Sequence, residues 1–107
     1  MNIKEKIALF QTLNKNEIIR EKMFYDVLEK CGDLKDYSDY MTTHPINCDV
    51  ELRRLPTADY DLCCALLTML LREDHFNNGA FERRQRTGQV KPIVERIIKL
   101  LSSEELK

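Results

Sequence analysis

Apolar residues in this sequence recur mainly at spacings of three and four, the period of an amphipathic helix. The clearest stripe lies near its end and consists of Val90, Ile93, Val94, Ile97, Ile98 and Leu101. Pro92 suits the first turn of such a helix. The pattern predicts a last helix that starts near residue 92, followed by a fraying tail over 102–107.

A second pattern is almost wholly apolar. Between Leu62 and Leu71 only Thr68 is polar, so a helix there must be covered on nearly every face. Thr57 is placed to cap its start, and Gly79 offers a left-handed residue at its end. We expect a helix over about 58–76 that lies at the centre of the fold, with the other helices packed around it.

The first third of the chain predicts two helices. Residues 3–13 carry an apolar stripe, and Asn14 with Glu17 has the spacing of a capping box for a second helix over about 15–31. Gly32 would close that helix. The side chains that it should bury are Ile19, Met23, Phe24, Val27, Leu28 and Cys31. The short link favours an antiparallel hairpin, and a kinked single helix is the alternative.

The segment from Asp33 to Pro56 has mixed signals. Asp33 could cap a short helix with Leu34, Tyr37 and Met41 on one side, ended by His44–Pro45. Residues 46–52 alternate as a strand does, yet the rest of the sequence offers that strand no partner. We therefore expect a short helix or turn over 49–55, capped by Asp49, with a strand as the open alternative.

Composition agrees with a helical class. The chain has 107 residues, 43% of them hydrophobic, and only three Gly and three Pro, too few for the frequent turns of a sandwich or barrel. The apolar run 62–71 is too short to span a bilayer. We predict an all-α, single compact domain over 1–107, built from five to six helices, with a short helix over 80–86 between the central and last ones.

Cysteines and histidines indicate neither a disulfide framework nor a metal centre. The four cysteines lack a CxxC pair, and Cys63 and Cys64 lie inside the apolar run, where thiols behave as small hydrophobes. His44, Cys48 and His75 are a weak ligand set because no carboxylates accompany them at a defined spacing. No metal or cofactor is predicted. Reduced thiols and the absence of a signal-peptide pattern lead us to expect a cytoplasmic protein.

The segment from Leu66 to Gly79, with the Gly88–Ile97 turn and helix after it, resembles a family of small, mostly bacterial proteins catalogued only as a domain of unknown function. The resemblance covers about residues 60–101, and its motif is Arg72, Asp74, Phe76 and Gly79. It implies a helical fold and brings no activity. Asn77 stands where such proteins often have a cysteine, so a thiol role there is absent.

The motif residues are better explained by structure than by catalysis. Glu73 and Asp74 lie at the negative end of a helix dipole, which is unfavourable unless donors compensate. We expect Asp74 to accept from Arg83, Arg84 or the N–H groups opening the next helix. A general acid–base pair of Asp74 with His75 is disfavoured because adjacent helical residues point about 100° apart. We therefore predict a structural corner and no catalytic residue.

A basic segment supplies the alternative function. Residues 82–99 contain six cations against Glu82 and Glu95, a net of +4: Arg83, Arg84, Arg86, Lys91, Arg96 and Lys99. Its helix, Gly88 turn and helix resemble a helix-turn-helix layout. The whole chain has a pI near 6.1, however, far from a strongly basic footprint. The leading hypothesis is thus a non-catalytic module that contacts a protein partner, possibly itself as a homodimer, with nucleic-acid binding as the alternative.

Overall fold

The structure, a computed structural model, describes residues 2–33 and 48–106, apart from the side chains of Cys48, His75 and Phe76. In chain order its elements are α1 (Ile3–Gln11), α2 (Glu21–Cys31), α3 (Cys48–Arg53), a 3-10 turn (Leu55–Thr57), α4 (Tyr60–Phe76), α5 (Ala80–Arg86) and α6 (Lys91–Glu105). Helices are the only regular elements of this described part, which confirms the all-α class. The short helix predicted after Asp33 and the break at His44–Pro45 lie outside it.

The central helix is α4, as the apolar run predicts. Every residue from Cys63 to Leu71 is buried except the half-buried Met69. Thr68 is 2% exposed, and its hydroxyl donates to the Cys64 carbonyl 2.8 Å away, so its polar group is satisfied inside the helix. Because α4 has almost no face that tolerates water, the remaining helices must enclose it.

The other helices supply that cover. α6 packs along both α1 and α4, α5 folds back on α4, and α2 contacts α4 and α1. The Arg96 side chain of α6 donates from Nε to the Ala58 carbonyl at 3.0 Å, which ties α6 to the entry of α4. The Cα radius of gyration is 13.1 Å, close to the roughly 13 Å expected for a compact chain of this length.

The predicted start of α2 is wrong. The helix begins at Glu21, and Arg20 before it is extended, with φ −66° and ψ 141°. The side chain of Gln85 explains the difference: its Oε1 accepts from the Ile19 N–H at 2.9 Å and its Nε2 donates to the Ile19 carbonyl at 2.8 Å. These two bonds keep the segment before α2 out of the helical conformation that the Asn14 capping box predicts. Met23, expected in the core, is 41% exposed.

Smaller corrections concern helix ends. Asp59, not Thr57, caps α4, and its carboxylate accepts from the Leu62 N–H at 2.8 Å. The short helix predicted over 49–55 is present as α3, although Asp49 lies within its first turn instead of capping it. The predicted fraying tail is helical as far as Glu105. Gly32 closes α2 in the left-handed conformation, with φ 73°, as expected.

Candidate functional site

The motif corner joins α4 to α5 through a three-residue turn. The Asp74 carboxylate accepts from the Phe81 N–H at 3.2 Å, and the Asn77 side-chain oxygen accepts from Arg83 at 3.0 Å. Gly79 has φ 87°, a conformation that other residues adopt only with strain. It leads into α5, while α4 itself ends earlier, at Phe76. Asp74 thus takes one of the donors expected for it, a backbone N–H that opens the next helix.

Glu73 has a different partner from its neighbour. Both of its carboxylate oxygens accept from Arg84, Oε1 from Nε at 2.9 Å and Oε2 from Nη2 at 2.8 Å. The hydrogen bonds from Arg84 lower the pKa of the Glu73 carboxyl below its ordinary value. Arg84 also donates to the Gln89 side chain at 2.6 Å and lies 3.7 Å from the Asp49 carboxylate. One guanidinium therefore connects α3, α4 and the α5–α6 turn.

Beneath this corner lies an aromatic contact. The rings of Phe24 and Phe81 meet edge to face, with centroids 4.8 Å apart, and both side chains are fully buried. Burial raises the pKa of Tyr25, the next residue of α2. The charge of Arg72 lowers this pKa, and the charge of Asp74 raises it. Arg72 itself is exposed. The corner is therefore packed against α2, while the Phe76 side chain lies outside the described part.

Most cations predicted as a possible binding surface have partners within the protein. Arg83, Arg84 and Arg96 make the contacts given above, Arg86 pairs with Glu82 at 3.2 Å, and Lys91 donates to the Asn16 side chain. Lys99 is exposed. The Arg84 side chain is only 20% exposed, and both Arg84 and Arg96 link helices of the protein through these bonds.

The feature that sequence reasoning missed is a groove beside the corner. The non-helical segment 13–19 forms one wall and the α5–α6 turn forms the other, and the cavity between them has a volume of about 330 Å³. Its floor is apolar and buried: Leu13, Ile19, Phe24 and Val90. Ile18, which is 42% exposed, lies in the wall. The groove exists because Gln85 holds this wall away from the helical path that its own sequence favours.

Charges surround the groove unevenly. Lys15, Arg86 and Lys91 line it together with Glu17. Glu17 lies 4.0 Å from Lys15, and both side chains are at least half exposed, so this pair is weak. Lys91 donates to a neutral amide, that of Asn16, and its charge is not offset by that bond. Arg86 is also paired with Glu82 at 3.2 Å, so part of the positive charge at the opening of the groove is already offset.

A second hollow, of about 270 Å³, lies over the corner between Glu73, Arg83, Arg84 and Gln89. Its charged groups are occupied by the contacts with one another already described. A ligand there would have to displace bonds that hold α4 to α5. The groove with the Ile18 wall is therefore the better candidate for binding.

A separate polar cluster joins α1, the end of α2 and the start of α4. The Tyr60 hydroxyl donates to Asp33 at 2.5 Å, and the Lys6 ammonium lies 3.3 Å from the same oxygen and 5.5 Å from the Tyr60 ring centroid. Burial, followed by the bond to Asp33, raises the pKa of Tyr60 strongly. The hydrogen bond from the Tyr60 hydroxyl to Asp33 links the start of α4 to the residue that follows the Gly32 cap of α2.

Within 2–33 and 48–106, no three His, Cys, Asp or Glu side chains come together as a metal-binding group would. His44 and the side chains of Cys48 and His75, the residues considered for a metal, lie outside the described part. Among described helices, none has the length and apolar character needed to cross a bilayer.

Comparison with known proteins identifies a family whose function is unknown. A family model described as a family of unknown function (DUF6508) matches residues 4–103. This range is wider than the 60–101 region on which the resemblance in sequence rests, and it takes in α1 and α2. No curated protein and no solved structure matches the chain.

Proposed function

The chain belongs to this family of unknown function, and we propose from its geometry that it is a non-catalytic, cytoplasmic module that binds a protein partner. The observation that carries the proposal is the groove between segment 13–19 and the α5–α6 turn. An apolar floor with polar edges is the usual form of a recognition site. At about 330 Å³ it lies near the lower end of the range for ligand pockets, roughly 300–1,000 Å³, which suits one anchoring side chain.

Exposed aliphatic side chains support a protein partner over a small polar ligand. Ile18 in the groove wall and Met23 in the first turn of α2 are 42% and 41% exposed. Burying an aliphatic side chain of this kind contributes about 1.5–3 kcal/mol, so a partner that covers Ile18 gains affinity from it. We propose that Ile18 is the centre of the contact.

The cytoplasmic and bacterial setting rests on the thiols and on the family resemblance. Cys31, Cys63 and Cys64 are buried, and Cys63 is a free thiol. Burial raises the pKa of Cys63 to about 11, so this thiol is protonated and inert at neutral pH. Such thiols suit a reducing compartment.

Nucleic-acid binding is the weaker proposal. Phosphate recognition requires several cations that can leave their present partners, and each such contact makes affinity depend on salt. Of the six cations, Arg84 and Arg96 could do so only by releasing bonds that hold helices together. We expect no binding of duplex DNA or RNA at physiological salt.

Site-specific photo-crosslinking in cells tests the proposed function. A benzophenone amino acid replaces Ile18 in one variant and Glu29, exposed on α2 and away from the groove, in the control. The proposal expects a discrete protein adduct at position 18 that position 29 does not give. Equal adducts at both positions, or none at position 18 in a folded variant, would contradict it.

A further inference from the structure

The second half of α5 is held in place by polar side chains. The buried residues of this helix, Ala80 and Phe81, both lie in its first turn. Arg84 and Gln85, one turn later, are only half-buried, and each of them bonds to another part of the protein. Apolar packing therefore fixes where α5 begins, while hydrogen bonds determine where its other end lies.

That other end lies between the groove and the second hollow. In the α5–α6 turn, Gly88 and Val90 line the groove, whereas Gln89 lines the second hollow. The same division holds on α5, where Gln85 lines the groove and Arg84 lines the second hollow. Adjacent helical residues point about 100° apart, which permits this division. A contact made in the second hollow can therefore set the position of the groove wall.

Arg84 makes such contacts with both α4 and the turn. Its Nε and Nη2 donate to the Glu73 carboxylate at 2.9 and 2.8 Å, and its Nη1 donates to Gln89 Oε1 at 2.6 Å. The Arg84 carbonyl also accepts from the Gln89 N–H at 2.9 Å. Because the guanidinium is planar, its bonds have fixed directions. One side chain thus places the turn that carries Gly88 and Val90 relative to α4.

The other wall of the groove depends on the neighbour of Arg84. Gln85 bonds to both backbone groups of Ile19, at 2.9 and 2.8 Å, and such bonds weaken steeply when their geometry is disturbed. Both bonds form only if the end of α5 has one particular rotation about the helix axis. The bidentate contact of Arg84 with Glu73 on α4 fixes that rotation.

We propose that Arg84 is a positioning residue for the groove: it lines the second hollow, yet it holds both walls of the groove in place. The turn depends on it through Gln89, and segment 13–19 depends on it through Gln85. The expected effect of Arg84 on partner binding rests on the proposed function of the groove.

Matched variants test this assignment. Arg84→Met removes the guanidinium and keeps an unbranched apolar side chain. Arg83→Met is the control, because Arg83 lines the same hollow but bonds to Asn77, which precedes α5. Gln89→Ala removes only the acceptor in the turn, and Gln89→Glu keeps one. Circular dichroism and thermal melting verify folding, and the Gln89 pair tests the turn even if Arg84→Met does not fold.

Hydrogen exchange of single amides, followed by nuclear magnetic resonance, gives the result. The N–H groups of Ile19 and Gly88 both bond to Gln85, the first to its side chain and the second to its carbonyl. In Arg84→Met we expect both to exchange at least about fivefold faster, the factor for losing a contact of ordinary hydrogen-bond strength. Arg83→Met should change neither rate by more than about twofold.

The Gln89 variants separate the two walls. Gln89→Ala should accelerate exchange at Gly88 and leave Ile19 unchanged, because Glu73 still orients Arg84. Gln89→Glu retains an acceptor for Arg84 and should keep the wild-type rate at Gly88. A general loss of stability would instead accelerate both amides in every destabilised variant.

Unchanged rates at both amides in Arg84→Met would overturn the inference. Equal increases in Arg84→Met and Arg83→Met would do the same, as would equal rates at Gly88 in the two Gln89 variants. Crosslinking from position 18 separates this result from the proposed function. If the groove binds a partner, the adduct should fall by a similar factor in the Arg84→Met background and persist with Arg83→Met. The expected exchange rates without any position-18 adduct would reject the proposed function and leave Arg84 as the residue that holds the groove.

Discussion

At the scale of single residues, the corner between α4 and α5 separates two adjacent carboxylates. Neighbouring helical residues point about 100° apart. Asp74 accordingly accepts from the Phe81 N–H, while Glu73 reaches Arg84. Each carboxylate thus has a donor, which compensates for its unfavourable place at the negative end of the helix dipole.

The Glu73–Arg84 pair should stabilise the fold measurably. Its two bonds are charge-assisted, but the Glu73 side chain is 36% exposed, so solvent screening reduces its contribution. We expect Glu73→Gln to lower the free energy of unfolding by about 1 kcal/mol at neutral pH. Glu82→Gln is the control, because its pair with Arg86 is exposed and should contribute little. Urea unfolding measures both, and equal losses would contradict this assignment.

The same pair predicts a pH dependence. The pKa of Glu73 is lower in the folded state than its ordinary 4.5. Its contribution is therefore present above the unfolded-state pKa and is lost as the pH falls through the folded-state pKa. The stability difference between wild type and Glu73→Gln should shrink below about pH 4.5. A difference that stays constant down to pH 3 would exclude ionised Glu73 as its source.

Asp74 acts on the backbone, as a helix cap does. Asp74→Ala leaves the Phe81 N–H without this acceptor, and we expect a loss of about 0.5–2 kcal/mol in unfolding free energy. Asp74→Asn retains a side-chain oxygen and should lose less. Thermal or urea unfolding compares the two variants. If Asp74→Asn were as damaging as Asp74→Ala, the charge would matter more than the hydrogen bond.

Residue-level reasoning from sequence has a definite limit here. Helix electrostatics alone predict that a carboxylate in the last turn of α4 needs donors. They do not predict that Arg84, and not Arg83, pairs with Glu73, because both arginines follow the same turn at nearly the same spacing. Only the direction in which α5 folds back distinguishes them, and that direction depends on packing of Phe81 against Phe24.

At the scale of elements, the segment before α2 shows tertiary contacts overriding a local signal. Asn14 and Glu17 have capping-box spacing, but the Gln85 side chain takes both backbone groups of Ile19, 66 residues away. By contrast α4, α5 and α6 lie close to their predicted positions, since long apolar patterns and glycine turns determine them locally. The groove could not be predicted because its wall depends on the contact with Gln85.

Removing the Gln85 side chain should free the segment 13–19, the wall of the groove, from its attachment to α5. Gln85→Ala loses two hydrogen bonds to backbone, and we expect unfolding free energy to fall by about 1–2 kcal/mol. The Ile19 amide should also exchange with deuterium much faster, a local effect that nuclear magnetic resonance can follow. Gln11→Ala, at an exposed site in α1, is the control. Unchanged exchange at Ile19 would mean that Gln85 does not hold the segment.

At the scale of the whole molecule, stability depends on the enclosure of α4. Leu66 and Leu70 are at most 1% exposed in the middle of this helix. Leu66→Ala or Leu70→Ala should therefore lower unfolding free energy by about 2–5 kcal/mol, as large-to-small changes in a packed core do. Leu106→Ala, at an exposed site, should change it little. If both core variants lost less than about 0.5 kcal/mol, α4 would not be the centre of the core.

Cysteine labelling probes the same enclosure without a mutation. Cys63 and Cys64 are completely buried, and burial raises the pKa of Cys63 to about 11. A bulky thiol reagent should therefore label them only as fast as the protein unfolds. Mass spectrometry of labelled peptides, with and without urea, measures this rate. Rapid labelling of both thiols in native buffer would show that α4 is accessible to solvent.

The packing of α1 along α6 has a consequence for synthesis of the chain. The last residue of α1, Gln11, leaves the ribosome about 80 residues before the first residue of α6, Lys91. At about 5–20 residues per second, this interval is roughly 4–16 seconds. During that time the nascent chain carries the apolar residues of α1, among them Phe10, whose principal packing partner has not yet been translated. Chaperones that shield apolar segments on the ribosome have these seconds to act before α6 completes the core.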